Sequence, residues 1–126
     1  MEKYQNAGNL ITPFICLDPE SGMLEIKGRS IPENPIEFYT PLIDALDEYA
    51  KSPMPLTQVT LKLEYYNSSS SKCLLEIFKK LEKMRKNGAD IKINWLYDEQ
   101  DDGMLTAGED YQVMLDLSFV LVPVIE

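Results

Sequence analysis

Apolar positions along the chain switch between a period of two and a period near three and a half. Ile11 to Leu17 is an apolar, β-branched run that ends in Asp18-Pro19-Glu20-Ser21-Gly22, a turn composition. Met23, Leu24 and Ile26 lead on to Gly28, so these two segments predict a β-hairpin. The proline-punctuated stretch Ser30 to Pro35 reads as a loop that carries the start of a helix, with Asn34 as cap, Pro35 in the first position and Glu37 in the third. Tyr39, Leu42, Ile43, Leu46 and Tyr49 then recur at helical spacing. Pro41 lies within this stretch and has no N–H to donate, so it predicts either a kink or a helix that starts properly only after Thr40.

Ser52-Pro53-Met54-Pro55 ends the helix. Val59, Leu61, Leu63 and Tyr65 alternate with Thr60, Lys62, Glu64 and Tyr66, the mark of a strand. Asn67 and Ser68 to Ser71 predict a short polar turn. A helix follows with Leu74, Ile77, Phe78, Leu81 and Met84 on one face, Lys79, Lys80, Lys83 and Lys86 mostly on the other, and Asn87-Gly88 as its end. Ile91, Ile93, Trp95 and Tyr97 form another alternating strand. Asp98 to Gly103 is an acidic loop, Glu109 to Leu117 a short helix, and Phe119 to Ile125 a final apolar strand. Tyr39, Tyr49, Trp95 and Tyr97 fall on apolar faces and are expected in the core. Tyr66 faces opposite to Tyr65 and is expected as an exposed interface anchor.

The resulting order, ββαβαβαβ, predicts an α/β fold: an N-terminal β-hairpin, then alternating helices and strands in one mixed, mostly parallel sheet packed by helices. Right-handed crossovers connect the parallel strands. Neither repeat nor linker breaks the chain, so one domain over 1–126 is expected.

Composition narrows the chemistry. There is no histidine among the 126 residues, which removes Ser-His-Asp and Cys-His nucleophile pairs, imidazole bases and histidine-bound zinc. Twenty-one acidic residues against twelve basic give a net charge of −9, which repels phosphate backbones and anionic lipid, so neither nucleic acid nor membrane is an expected partner. Met1 to Gly8 lacks the apolar core of a signal peptide, and Cys16 and Cys73 have no CxxC spacing. Reduced thiols in a cytoplasmic protein are the expectation.

Three segments carry candidate chemistry. In Tyr65-Tyr66-Asn67-Ser68-Ser69-Ser70-Ser71-Lys72 a strand hands over to a helix, whose first N–H groups are unpaired and whose dipole favours anions. One serine can simply cap this helix; the alternative is a phosphoacceptor, where about −1.5 to −2 of charge is tolerated. The run lacks a Walker spacing, and no cofactor is expected. Asp98 to Glu109 aligns in part with a calcium loop, through Asp98, Asp102, Gly103 and Glu109, although Gln100 departs from it and a strand precedes it. A calcium-binding domain is therefore the alternative function, against a solvated acidic loop. Gly28 to Asn34 is a helix-start loop or a recognition loop. Carboxylate-based hydrolysis would draw on Glu33, Asp98 and Asp102.

Taken together, Gly28-x-Ser30-x-Pro32-Glu33-Asn34, the Asn67-Ser68-Ser69-Ser70 turn with the Leu74–Leu81 helix, Trp95-x-Tyr97-Asp98, and Ser118-Phe119 resemble the SiaC family of bacterial regulatory phosphoproteins. The resemblance implies a fold like the anti-sigma-factor antagonists (STAS-like) and a protein without catalytic groups of its own. It implies a serine/threonine protein kinase that modifies the chain and a PP2C-type phosphatase that reverses this. It further implies a diguanylate cyclase bound by the unmodified form, linking the protein to cyclic di-GMP and biofilm decisions. The family's acceptor follows the asparagine of the turn and falls on Ser68, a serine where the familiar member has threonine, with Ser69 to Ser71 as rivals. Tyr66, Asn67, Ser69, Glu33, Asn34 and Asp98 are the expected partner contacts.

Overall fold

The computed structural model describes residues 1–125. Six strands form one sheet in sequence order: β1 (Tyr4–Asn6), β2 (Phe14–Asp18), β3 (Met23–Ser30), β4 (Leu56–Tyr66), β5 (Asp90–Asp98) and β6 (Ser118–Val124). The first three pair antiparallel, and β3 to β6 run parallel. Three helices connect the parallel strands: α1 (Pro35–Tyr49), α2 (Ser68–Lys86) and α3 (Asp102–Met114). Parallel neighbours joined in sequence order by right-handed crossovers place all three helices on one face.

Side chains confirm that face. Across the sheet, Ile15, Ile26, Leu61, Trp95 and Leu121 stand in register, and Leu17, Leu24, Val59, Ile93 and Phe119 form the next row. All but Leu121 are buried. The opposite face carries Glu25, Lys27, Gln58, Lys92 and Val120 and stays open to solvent. Against the buried rows α1 sets Tyr39, Leu42, Leu46 and Tyr49, and α2 sets Cys73, Leu74, Ile77, Phe78, Leu81 and Met84. Tyr39, Tyr49 and Trp95 are core residues as expected, and Tyr97 is half-buried at the sheet's end.

Several boundaries differ from the pattern-based expectation, each for a local reason. β1 was not foreseen: three residues are too few to show a period, and the strand exists because β2 offers an edge to pair with. The strand expected from Ile11 starts at Phe14, because the Asn9 side chain accepts from the N–H groups of Ile11 and Thr12 and holds them in a turn. Helix α1 runs unbroken from Pro35 through Pro41. The carbonyl that Pro41 cannot serve belongs to Glu37, and both residues are exposed, so the missing bond falls on the solvent side while the buried face holds the helix. The acidic loop is shorter than expected and the helix after it longer. Asp101 caps α3 by accepting from the Met104 N–H at 3.0 Å, so Asp102 and Gly103 are already helical. The helix ends at Met114, not Leu117.

Glycine permits a close approach of α3 to the sheet. A Cβ on Gly108 would stand 2.6 Å from Trp95 Cδ1 and 2.9 Å from Leu121 Cδ2, so α3 lies directly on the indole. The Trp95 Nε1–H meanwhile donates to the Met104 carbonyl at 3.0 Å, which leaves no orphaned polar atom beneath the helix.

Candidate functional site

Strands β3, β4 and β5 all deliver their C-terminal ends to one edge of the fold, and the candidate residues gather there. β4 passes into α2 without a loop. Asn67 is the cap: its side-chain carbonyl accepts from the Ser70 N–H at 2.8 Å and its backbone carbonyl from the Ser71 N–H at 3.0 Å. The four serines are therefore the first turn of α2, where a free-standing polar turn was expected. Starting the helix there sorts the hydroxyls by helical geometry.

Ser68 and Ser69 are exposed. Ser70 is fully buried, and its hydroxyl donates to the Ser30 carbonyl at 2.9 Å. Ser71 is half-buried and its hydroxyl donates to the Ser68 carbonyl at 2.7 Å. Two accessible hydroxyls thus remain of four. Ser69 faces a groove of about 370 Å³ between the first turns of α1 and α2, lined also by Glu33, Asn34, Ile36, Lys72 and Glu76. Ser68 stands one turn before Lys72, at the i,i+4 spacing that lets a cation meet an anion on a helix face.

Glu33 and Asn34 are exposed and line that groove together with Ser69. Asn34 is also the cap of α1: its side-chain carbonyl accepts from the Glu37 N–H at 3.1 Å, and its amide donates to the Glu37 carboxylate at 3.2 Å. Cys73 forms part of the groove wall, and burial, helped by the nearby Glu76 charge, pushes its thiol up and keeps it protonated.

Tyr66 departs from the expected exposure. Pairing between β3 and β4 slips between Gly28 and Arg29, leaving Glu64 as an extra residue in β4. A bulge of this kind reverses the in–out phase beyond it. Tyr65 consequently turns outward and is 52% exposed, whereas Tyr66 turns inward, half-buried and edge-on to Trp95 at 6.5 Å. Burial raises the Tyr66 hydroxyl, partly offset by its hydrogen bond with Tyr111.

Asp98 does not join this group. It lines a separate groove of about 480 Å³ at the ends of β4 and β5, with Lys62, Glu64, Asp101 and Asp102. Glu33 is not part of that groove, so the three carboxylates considered for hydrolysis are not assembled as a set. The calcium alternative is overturned by backbone geometry. Asp98 is the last residue of β5, and its carboxylate accepts from the Gln100 N–H at 2.9 Å to close a turn. From the fifth position of the would-be loop onward the chain is α-helix, which cannot wrap an ion. Among the described residues no three acidic or thiol side chains converge as a metal set, and no helix is long and apolar enough to cross a membrane.

Ser30, bonded to Ser70, and Tyr39, bonded in turn to Ser30, were missed as site residues. A signal for them existed in the sequence. Ser30 continues the inward phase of Leu24 and Ile26, and Ser70 precedes Leu74 and Ile77 at helical spacing, so both extend apolar faces.

The sequence profile for "SiaC family regulatory phosphoprotein" matches residues 6–124. The chain belongs to the SiaC family. It is similar to apo-SiaC from Pseudomonas aeruginosa, with a TM-score of 0.89 at 26% identity over 97% of this chain and 99% of that one. It is also similar to a chain of the P. aeruginosa complex described as diguanylate cyclase SiaD with its activator SiaC, with a TM-score of 0.91 at 26% identity over 96% of this chain and 99% of that one. In sequence it is 27% identical, over 90% of both chains, to an uncharacterized protein of P. aeruginosa strain UCBPP-PA14. The matched fold is a mixed sheet packed by helices, as the hydrophobic pattern predicts, with β1 added as a sixth strand, and the SiaC family is one of regulatory proteins.

Proposed function

We propose that Ser68 carries a reversible phosphate, placed by a serine/threonine kinase and removed by a PP2C-type phosphatase. Its modification state sets binding to a diguanylate cyclase, so the chain works as a one-domain, non-enzymatic cytoplasmic switch in cyclic di-GMP signalling. One observation supports Ser68 above its neighbours: the first turn of α2 buries Ser70, engages the Ser71 hydroxyl and leaves only Ser68 and Ser69 free. Electrostatics separates those two. A phosphate on Ser69 would enter a groove that sets two carboxylates, Glu33 and Glu76, against the single ammonium of Lys72, whereas one on Ser68 lies outside that groove with Lys72 at i+4 and the unpaired N–H groups of the helix start beside it.

The same placement explains how modification changes binding without unfolding the protein. Charge of about −1.5 to −2 is stabilised locally at a helix N-terminus. Beyond the turn it adds to a net −9 and has to be desolvated by any apolar partner surface. Ile36 and Tyr65, 74% and 52% exposed at this same edge, are surface that a partner would bury in the unmodified state. The family's description as regulatory phosphoproteins and the similarity to an activator bound to its cyclase support this choice of partner.

The test uses wild-type, Ser68→Ala and Ser69→Ala proteins with the cognate kinase and ATP, counting phosphates by intact mass. Wild-type and Ser69→Ala are expected to gain one phosphate and Ser68→Ala none. All three unmodified proteins should bind the cyclase, and the phosphorylated ones should bind at least tenfold more weakly. Full modification of Ser68→Ala would sink the assignment.

A further inference from the structure

The junction of β3, α1 and α2 contains a hydroxyl chain that the switch described above does not use. Ser30, Tyr39 and Ser70 are each 0% exposed. Each hydroxyl has a single proton to donate, which fixes the order of the chain. Ser70 gives its proton to the Ser30 carbonyl, and the Ser30 hydroxyl gives its own to the Ser70 Oγ, both at 2.9 Å. The 2.5 Å contact between Ser30 and Tyr39 is therefore donated by the tyrosine. Burial pushes the Tyr39 hydroxyl up to about 12, so that donor keeps its proton.

Backbone bonds complete a staple. The Ser30 carbonyl also accepts from the Asn67 N–H at 3.2 Å, and Asn67 in turn accepts from the Ser70 N–H. The last residue of β3 thus holds both the cap and the third residue of α2. Immediately after Ser30, the Ile31 N–H donates to the Ile11 carbonyl at 2.8 Å, and the chain runs on through Glu33 and Asn34 into α1. Tyr39 returns from the second turn of α1 to the same point. Apolar groups of matching shape could fill this space at little cost. What hydroxyls add is direction: each fixes where its partner's backbone lies.

We infer that Ser30, Ser70 and Tyr39 are positioning residues that couple the first turn of α2 to the loop 31–34 and the first turn of α1. A charge placed on Ser68 is then felt at the opposite wall of the groove, around Glu33, Asn34 and Ile36, and a partner meets both walls as one surface. This deepens the reading of Ser68 as the switch, and its biological use rests on that reading.

Amide hydrogen exchange on the full-length protein tests the coupling without kinase or cyclase. Ser68→Asp supplies the charge, and Ser70→Ala and Tyr39→Phe cut the chain at different points. The reporters are the Ile31, Glu37 and Phe38 amides across the junction; Ser71 reports the local effect, and Ile93 and Trp95 in β5 report intact folding. Ser68→Asp alone is expected to change exchange about fivefold at all three distant amides. In the Ser70→Ala background that response should fall below twofold while Ser71 still responds. In the Tyr39→Phe background only Glu37 and Phe38 should lose it. If Ser70→Ala also loosens β5, the Tyr39→Phe split decides. No distant response to Ser68→Asp, or an undiminished one in both backgrounds, would overturn the coupling. Since phosphate plays no part in this measurement, its failure removes the coupling alone, and an unphosphorylated Ser68 removes the switch alone.

Discussion

Helix α2 has two differently built ends. Midway along, toward α3 and β6, it rests on rings: Phe78 stands edge-on to Tyr111 at 4.9 Å and to Phe119 at 5.4 Å, with Trp95 tilted against Tyr111 at 5.6 Å. At its N-terminus, toward α1 and β3, it is held by the hydroxyls of Ser30, Tyr39 and Ser70 and by the Asn67 cap. Ring contacts stabilise through buried area and give little direction, so they hold the helix on the sheet. Hydroxyl contacts contribute less net free energy but fix a geometry, and they sit where Ser68 and Ser69 face solvent. Bulk stability and the placement of the candidate surface are therefore carried by separate sets of residues.

Substitutions should pull the two ends apart. The largest effect is expected at the ring end. Trp95→Ala removes the indole beneath α3 and should cost about 3–5 kcal/mol in urea denaturation. Asn67→Ala comes next, at about 1–2 kcal/mol, because it leaves the Ser70 N–H without its acceptor. Ser70→Ala should cost about 1 kcal/mol, since the Ser30 carbonyl keeps the Asn67 N–H as a donor. A loss at Ser70 as large as at Trp95 would show that the hydroxyl end is ordinary core, and the comparison would fail.

The smallest effect sharpens the comparison through pH. Tyr39 ionises near 10 in an unfolded chain and about 12 when folded. Holding it neutral therefore stabilises the fold fully below pH 10, and that stabilisation disappears as pH rises from 10 toward 12. Tyr39→Phe lacks the group and should cost less than about 1 kcal/mol at pH 7. Its gap to wild-type should then narrow and reverse between pH 10 and 12 in parallel denaturation series, because only wild-type loses stability there. A gap that stays constant would mean that the phenol ionises alike in both states.

Much of the ring end was legible in the sequence. Ile91, Ile93 and Trp95 alternate, and Leu74 to Met84 repeat at helical spacing, because burial on one face imposes those periods. α3 was harder to place. Its buried residues are Met104, Gly108 and Tyr111, and a glycine at the inward position hides the stripe. The hydroxyl end was only half legible. Asn67 and Asn34 stand where caps should be, and the motif order resembling the SiaC family brought Ser68, Ser69, Glu33 and Asn34 to attention together. Ser70 keeps the helical spacing of Leu74 and Ile77, but a serine at the start of a helix reads as solvated, and its hydroxyl partner Ser30 lies forty residues earlier. Tyr66 was placed on the wrong face for a comparable reason. The bulge that turns it depends on how β4 pairs with Gly28 and Arg29, and no period within β4 records that.

The most direct measurement is site-localised tandem mass spectrometry, with intact mass, on the protein isolated from its own cells before and after phosphatase treatment. A single phosphate on Ser68 that the phosphatase removes is the predicted result. Phosphate confined to Ser69 would keep a switch but contradict the electrostatic choice between the two exposed serines. An unmodified Ser68 under every growth condition would contradict the switch itself and leave the first turn of α2 as a structural cap.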